Sequence, residues 1–272
     1  MVANMFRRNY RFLCEAFTVF ITCLLCVLHL VHIVEPVKIP ALPLPSYVGK
    51  ACRANDPNLN ECVVRTGAPV IRRITQGDAK YRIPKLEPLT ISKMRIEQGT
   101  RQVGMTMECQ ECNLYGLSEV NFTTARVDLK KRHVEWDFTL DRLMFLGKYK
   151  VSGRVLILPI TGAGDANITL TNVSFSFLYD YDLDLKENGK HYARLTNSTL
   201  PYKIGGMYIH LENLFNGDKL LGENMNRFLN ENWRDIIKEV GPAVADALTD
   251  VFRATMGAMA DLVPFEYLFP TD

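Results

Sequence analysis

Residues 225–263 have the sequence MNRFLNENWRDIIKEVGPAVADALTDVFRATMGAMADLV. Apolar side chains recur every three or four positions along this stretch, which is the spacing of one face of an α-helix. At about 1.5 Å per residue, such a helix is on the order of 60 Å long. It needs an equally long apolar partner, so we expect a sheet to wrap around it. Gly241-Pro242 predicts a kink, because proline has no backbone N–H group to donate.

The middle of the chain has the two-residue period of half-buried β-strands. Apolar and polar residues alternate over residues 134–141 and again over residues 173–185. Asn188-Gly189 predicts a type I′ hairpin turn into a strand at residues 190–195. Strands that are joined by hairpins are antiparallel. The sequence therefore predicts an α+β fold in which an antiparallel sheet surrounds one long C-terminal helix.

Further elements are predicted on either side of these strands. Residues 147–159 have the composition of another strand, and the run Gly162-Ala163-Gly164-Asp165 predicts a turn into a strand at residues 167–170. Residues 56–74 predict a first helix that Gly67 and Pro69 interrupt.

Composition places the chain among ordinary folded proteins. Of its 272 residues, 47% are hydrophobic and 23% are charged, and the formal net charge is +2. This length leaves room for one large domain after the N-terminal segment. So small a net charge gives no reason to expect nucleic acid or an anionic membrane surface as a partner.

The N-terminus has the pattern of a secretory signal peptide. Arg7, Arg8 and Arg11 precede an apolar run at residues 16–34. Because about 20 apolar residues can span a bilayer, retention of this run as a membrane anchor is the alternative. Four prolines within residues 36–45 indicate an extended linker. We therefore divide the chain into residues 1–35 (signal peptide or retained anchor), 36–50 (linker) and 51–272 (a single domain that binds a hydrophobic ligand).

Potential glycosylation sites agree with export from the cell. Asn-x-Ser/Thr sequons in a secreted protein predict exposed, glycosylated positions. The sequence contains four after the apolar run, at Asn121, Asn167, Asn172 and Asn197.

The cysteines also favour an oxidising compartment. Cys14, Cys23 and Cys26 lie in or beside the predicted signal and are expected to leave with it. The remaining even number predicts two disulfides, for which three connectivities are possible. We favour the two pairs that are close in sequence, Cys52–Cys62 and Cys109–Cys112.

The predicted apolar faces are rich in aromatic residues. A curved sheet around one helix leaves a tunnel wherever side chains do not fill it, and ligand sites are concave and apolar. The candidates for the tunnel wall are Trp136, Phe138, Phe145, Tyr149, Phe175, Phe177, Tyr179 and Tyr181 from the strands, with Phe228, Trp233 and Phe252 from the helix. The alternative for each of them is a filled core. We expect Trp233 to anchor the helix on the sheet, and a hydroxyl of Tyr149, Tyr179 or Tyr181 to bind the polar end of a ligand.

Patterns that carry enzymatic chemistry are absent from the sequence. His133, His191 and His210 have no zinc-like spacing to other ligands, so no metal or other cofactor is expected. Asp180-x-Asp182-x-Asp184 lacks the remaining residues of a calcium loop and favours the solvated face of a strand. Cys109-Gln-Glu-Cys112 favours a structural disulfide over redox catalysis. No nucleophile elbow, P-loop or dinucleotide fingerprint occurs, and an enzyme is not predicted.

A set of short motifs resembles the insect takeout and haemolymph juvenile-hormone-binding protein family. The resemblance covers most of the chain, from Cys52 to Pro270, and its specificity comes from the order of the motifs. They are Cys52-Arg-Ala-Asn-Asp-Pro-x-Leu59-x-x-Cys62, Ile83-Pro-x-Leu-Glu-Pro-Leu89, Leu114-Tyr-Gly-Leu-Ser118, Tyr149-x-x-x-Gly153-x-x-Leu-x-Leu-Pro-Ile-x-Gly162-x-Gly164, Leu214-Phe-Asn-Gly-Asp218, Asn230-Glu-Asn-Trp233 and Pro264 to Phe269-Pro270. Glu87 departs from the Asp that is common at this place in the family.

The resemblance implies a secreted carrier for a small hydrophobic ligand such as an isoprenoid or a fatty acid. It also implies an elongated, highly curved antiparallel sheet wrapped around a long C-terminal helix, similar to lipid-binding proteins of the bactericidal/permeability-increasing type. The family's N-terminal disulfide corresponds to Cys52 and Cys62. If residues 16–34 stay in place, the alternative is a lipid-transfer module that is tethered to a membrane.

Overall fold

The computed structural model describes residues 41–100 and 103–271. The predicted signal or anchor, residues 1–35, lies outside the described residues, as do residues 36–40 of the predicted linker. A compact unit begins at Ala41. Within the described ranges, no helix combines the length and the hydropathy that a membrane crossing requires.

Seven antiparallel strands form one sheet in the described part of the chain. The order of neighbouring strands is β1-β2-β4-β5-β6, with β3 also paired to β4 and β7 also paired to β5. The strands are β1 (Leu89–Thr100), β2 (Val103–Tyr115), β3 (Asn121–Asp128), β4 (His133–Val155), β5 (Leu158–Leu185), β6 (His191–Thr199) and β7 (Tyr202–Leu211).

The two longest strands form a central ribbon. β4 pairs with β5 over its whole length, from His133 opposite Asp180 to Val155 opposite Leu158. Each long strand then holds two shorter strands one after the other: β3 and β2 lie along β4, and β6 and β7 lie along β5. The predicted alternation at residues 134–141 and 173–185 is confirmed, since both stretches lie in this ribbon.

Five α-helices complete the described fold: α1 (Leu59–Gly67), α2 (Ile71–Ile74), α3 (Lys219–Glu231), α4 (Trp233–Ala260) and α5 (Phe265–Leu268). The predicted interruption of the first helix is confirmed, because residues 68–70 form a 3₁₀ turn between α1 and α2. Helix α4 contacts β1 on one edge of the sheet and β6 and β7 on the other. One helix touches both edges only if the sheet curls around it, so the predicted wrapped architecture is confirmed.

The C-terminal helix is not a single element, as the sequence predicted, but two. The break is at Asn232, whose backbone leaves the helical conformation (φ −107°, ψ 20°). Its side-chain amide donates to the carbonyl of Phe228 over 2.9 Å. Side chains of this type compete with the helical hydrogen-bond ladder and end it. Helix α4 itself continues through Pro242, and the kink there stays a prediction.

The start of α3 was also missed by periodicity. The helix begins at Lys219, six residues before Met225, and Asp218 caps it. The Asp218 carboxylate accepts from the backbone N–H of Leu221 over 3.0 Å, as N-cap carboxylates typically do.

The predicted turn at Gly162-Ala163-Gly164-Asp165 is wrong, because these residues lie inside β5. The hairpin turns instead at Leu156 and Ile157, and the predicted strands at 134–141 and 147–159 belong largely to the continuous β4. The glycines instead allow other parts of the chain to approach β5 closely. A β-carbon on Gly162 would lie 2.7 Å from the hydroxyl of Tyr149, and one on Gly164 would lie 2.6 Å from the carbonyl oxygen of Glu212.

The hairpin at Asn188-Gly189 is confirmed, but its turn type differs from the prediction. A type I′ turn needs positive φ at both central residues. Only Gly189 has positive φ (74°), and its N–H donates to the carbonyl of Lys186 over 2.9 Å. This is the pattern of a type I turn followed by a glycine bulge.

The described end of the predicted linker is packed against the domain. Pro45 is fully buried, and the backbone N–H of Leu42 donates to the carbonyl of Leu262 over 2.8 Å. Leu42 and Leu44 pack on a small core around Val263. Residues 41–50 therefore belong to the folded unit, because they cover apolar surface at the C-terminal end of α4.

Both predicted disulfide pairs are present, Cys52–Cys62 and Cys109–Cys112. The first joins the segment before α1 to that helix. The second lies within β2, where the pairing with β4 shifts register between Gln110 and Asn113.

Candidate functional site

An apolar cavity of about 220 Å³ lies between α4 and the concave face of the sheet. Strands β1, β2, β4, β5 and β7 contribute to its wall, and α3 contributes Leu229. The helix side of the wall consists of Ile236, Ile237, Val240, Gly241, Val244, Ala245, Ala247, Leu248 and Phe252. Apolar cavities of on the order of 150 Å³ stay free of water and bind small apolar molecules, so this space suits an apolar guest.

Four flexible methionine side chains form part of the cavity wall. Met94, Met105, Met107 and Met207 line it from three different strands. Methionine has an unbranched, flexible side chain that adapts to irregular shapes, so these residues can make room for ligands of different outline. In the sequence, Met105 and Met107 alternate with polar residues. This two-residue period would have predicted that both methionines lie on one face of a strand.

Tyr202 supplies the one side-chain hydroxyl in the described wall of the cavity. The hydroxyl sits in a notch at Gly241, where a β-carbon would overlap it. It donates to the carbonyl of Ile237 over 3.5 Å, which is the long limit of a hydrogen bond. Burial raises the pKa of Tyr202, so the hydroxyl stays protonated and is a donor at neutral pH. No local pattern in the sequence marked this residue.

Three of the eleven predicted wall residues do line the cavity: Phe145, Phe175 and Phe252. Four others belong to an aromatic cluster at one end of it. The cluster is a closed ring of contacts whose neighbouring centroids are 5.0 to 6.1 Å apart. Its members, in order, are Phe122, Trp136, Tyr179, Phe177, Phe252, Phe175 and Phe138. Here the rings fill the interior, and Phe175 and Phe252 separate the cluster from the open cavity.

None of the three predicted head-group tyrosines lines the cavity. The Tyr149 hydroxyl donates to the carbonyl of Glu212 over 2.6 Å, and burial together with the Glu212 charge raises its pKa to about 12. The ring of Tyr181 lies against that of Phe265 with centroids 5.4 Å apart, and its buried hydroxyl has no partner among the described residues. Burial raises the pKa of Tyr181 to about 12 and that of Tyr179 further.

The anchor role of Trp233 stays a prediction. The break at Asn232 makes Trp233 the first residue of α4, where it is half-buried and the guanidinium of Arg234 lies 4.6 Å from its ring. Ile236, one turn further on, is buried and lines the cavity. Phe228 packs against the core beside the cavity but does not line it.

The remaining polar candidates lie on outer surfaces. All four sequon asparagines, Asn121, Asn167, Asn172 and Asn197, are exposed, and their glycosylation stays a prediction. Asp180 is paired with His133 at 2.7 Å, whereas Asp182 and Asp184 both bind Arg194. The prediction of a solvated strand face is confirmed for these carboxylates. Among the described residues, no group of three or more His, Cys, Asp or Glu side chains is placed to hold a metal ion.

Comparison with known proteins agrees with this geometry. Residues 22–270 match the family model described as haemolymph juvenile hormone binding protein. The circadian clock-controlled protein daywake of Drosophila yakuba is 24% identical over 230 residues, covering 82% of this chain and 87% of its own length. The daywake protein of Drosophila melanogaster is 25% identical over 227 residues, covering 81% and 86%.

A solved structure shares the fold. The crystal structure of Takeout 1 from Epiphyas postvittana superposes with a TM-score of 0.74 and 25% sequence identity, over 81% of this chain and 99% of that one. The family match spans most of the chain, and the helix-filled curled sheet is common to both structures. The protein therefore belongs to the takeout and haemolymph juvenile hormone binding protein family.

Proposed function

We propose that this protein is a secreted carrier that binds a small, elongated, apolar ligand between α4 and the sheet. The observation that carries the proposal is the cavity, whose described wall is apolar apart from the Tyr202 hydroxyl. Family membership supports the same function. An isoprenoid or fatty-acid-like ligand fits this chemistry, and burial of roughly 400 Å² of its surface contributes about 10 kcal/mol before the costs of association.

Native mass spectrometry tests both parts of the proposal. The chain is expressed from Met1 in insect cells, and the medium and membranes are analysed separately. We expect protein in the medium that has lost its N-terminal segment and carries a small apolar adduct. Protein found only in membranes with residues 1–35 intact would refute secretion, and secreted protein that binds no apolar probe would refute the carrier function.

Filling the cavity from the helix side should abolish most ligand binding. Ala245 lines the cavity, and its replacement by tryptophan places a bulky ring in the ligand's space. We expect Ala245→Trp to weaken binding of the fluorescent probe N-phenyl-1-naphthylamine by about tenfold or more. Ala254→Trp is the matched control, because Ala254 is exposed on the same helix. Equal affinities of the two variants would show that the probe does not occupy the cavity.

The Tyr202 hydroxyl should favour ligands with a hydrogen-bond acceptor. Its long bond to Ile237 is readily exchanged for a shorter one to a ligand oxygen. We expect Tyr202→Phe to weaken binding of methyl palmitate about fivefold, the worth of one ordinary hydrogen bond, and to leave binding of octadecane unchanged. Competition against the fluorescent probe measures both affinities. An equal loss for the ester and the alkane would assign Tyr202 a packing role only.

A further inference from the structure

The tip of the β4–β5 hairpin breaks the usual rules for a surface turn. Its two-residue loop is Leu156-Ile157, and Leu156 has a positive φ of 54°. Glycine and asparagine normally occupy such positions, because a bulky side chain is strained there. Ile157 is 80% exposed, the highest value among the large apolar side chains in the described ranges. Leu156 packs against the core, which can hold its strained backbone in place, but no contact of that kind accounts for the exposure of Ile157.

The charges on this hairpin have one sign. Residues 149–164 contain Lys150 and Arg154 and no acidic residue. Both side chains are exposed, and Arg154 lies two positions before Leu156. Glu108 is opposite Lys150 in the β2–β4 register, but its carboxylate already binds Arg95 at 2.9 Å. The tip therefore presents one exposed isoleucine with Arg154 close by and Lys150 further along the same strand, a combination that favours an anionic lipid surface.

A second apolar patch lies at the same end of the sheet. Leu214 bridges to Gly162 on β5, so the chain enters α3 close to the hairpin. Leu220 and Leu221, at the start of this helix, are 69% and 49% exposed. Two elements at this end of the sheet, the hairpin tip and the start of α3, thus expose apolar side chains. Singly exposed leucines need no explanation, but a grouped patch marks an interaction surface.

The hairpin is directly continuous with the cavity. Val155 and Ile160, on either side of the tip, are buried and line the cavity wall. A membrane in contact with Ile157 is therefore only a few residues away from the space that holds the ligand. We propose that the β4–β5 hairpin, with Leu220 and Leu221, docks on an anionic lipid surface, where the carrier collects or releases its ligand. Collection or release of a ligand at the membrane rests on the proposed function, whereas the docking itself does not.

Vesicle flotation tests the docking surface. The vesicles contain phosphatidylcholine alone or with about 30% phosphatidylserine. We expect the protein to bind the mixed vesicles. Ile157→Ser should weaken this binding about fivefold, since the isoleucine that inserts into the membrane is lost. Arg154→Gln should weaken binding to the mixed vesicles only. The matched control is Leu185→Ser, because Leu185 is 66% exposed at the other end of β5.

Three outcomes would overturn the proposal. The first is an absence of vesicle binding by the unaltered protein, and the second is an equal effect of Ile157→Ser and Leu185→Ser. Sedimentation without vesicles adds a third, since loss of a dimer on Ile157→Ser would assign the tip to a second copy of the chain. Titration with N-phenyl-1-naphthylamine should give the same affinity for Ile157→Ser and the unaltered protein. That control separates a failure of docking from a failure of ligand binding.

Discussion

Replacement of Asn230 by alanine should lower the free energy of unfolding by about 3 kcal/mol, because it leaves two backbone groups without partners. Asn230 lies on α3 beside the edge strand β7. Its side-chain oxygen accepts from the N–H of Ile209 over 2.9 Å, and its amide donates to the carbonyl of the same residue over 2.7 Å. The side chain thus replaces the neighbouring strand that β7 lacks at this point.

Asn226 repeats the arrangement one helical turn earlier. It forms the same pair of hydrogen bonds to the N–H and carbonyl of Leu211, both at 2.9 Å. Residues four apart on a helix and two apart on a strand are each separated by about 6 to 7 Å, so the two spacings match. An exposed strand edge is open to unwanted pairing, and the two asparagines close it.

Urea denaturation measures the effect, and the chain offers a matched control. Asn224 is exposed on the same helix, so Asn224→Ala should change stability by less than about 0.5 kcal/mol. Asn226→Ala should resemble Asn230→Ala. If Asn230→Ala is no more destabilising than Asn224→Ala, the side-chain bonds to β7 contribute nothing to stability.

Gly164→Ala is the second substitution for which we expect a loss of about 3 kcal/mol, since it overpacks a contact between two backbone segments. The added β-carbon would lie 2.6 Å from the carbonyl oxygen and 3.0 Å from the carbonyl carbon of Glu212. The segment after β7 is held here by the N–H of Glu212, which donates to Asp165 over 2.9 Å. The Asn213 amide also donates to Ala163 over 2.7 Å. Relief of the clash requires these bonds to stretch.

The neighbouring residue provides the comparison. Ala163→Val adds more volume than Gly164→Ala. Because Ala163 is exposed on β5, this substitution should lower the free energy of unfolding by less than about 0.5 kcal/mol. Thermal or urea unfolding of both variants measures the difference. Gly164 is not among the glycines with positive φ, so the expected loss comes from the contact and not from a turn conformation. Similar stabilities of the two variants would contradict the close approach of the two segments.

Prediction of the ligand site from the sequence was partial. Phe145, Phe175 and Phe252 line the cavity as expected. Trp136 and Phe138 sit on a strand with the expected alternation, yet their rings contact other rings and fill the space. A sequence shows which side of a strand a ring occupies, but a cavity is the volume that many distant side chains leave unfilled. That volume depends on packing across the whole sheet.

Local geometry explains what the sequence determined about this protein. Three features depend only on backbone spacing over a few residues. They are the two-residue period of β4 and β5, the helical period of residues 233–260 and the pairing of nearby cysteines. Contacts between distant segments decided the rest. The glycines at 162 and 164 were predicted to form a turn, and only the placement of Leu214 and Glu212 against them shows that they allow a close approach instead. Only the tertiary structure showed three further features: the position of the hairpin tip, the hydroxyl in the cavity wall and the asparagine bonds to β7. Each depends on a partner far away in the chain, and short-range periodicity carries no information about such a partner.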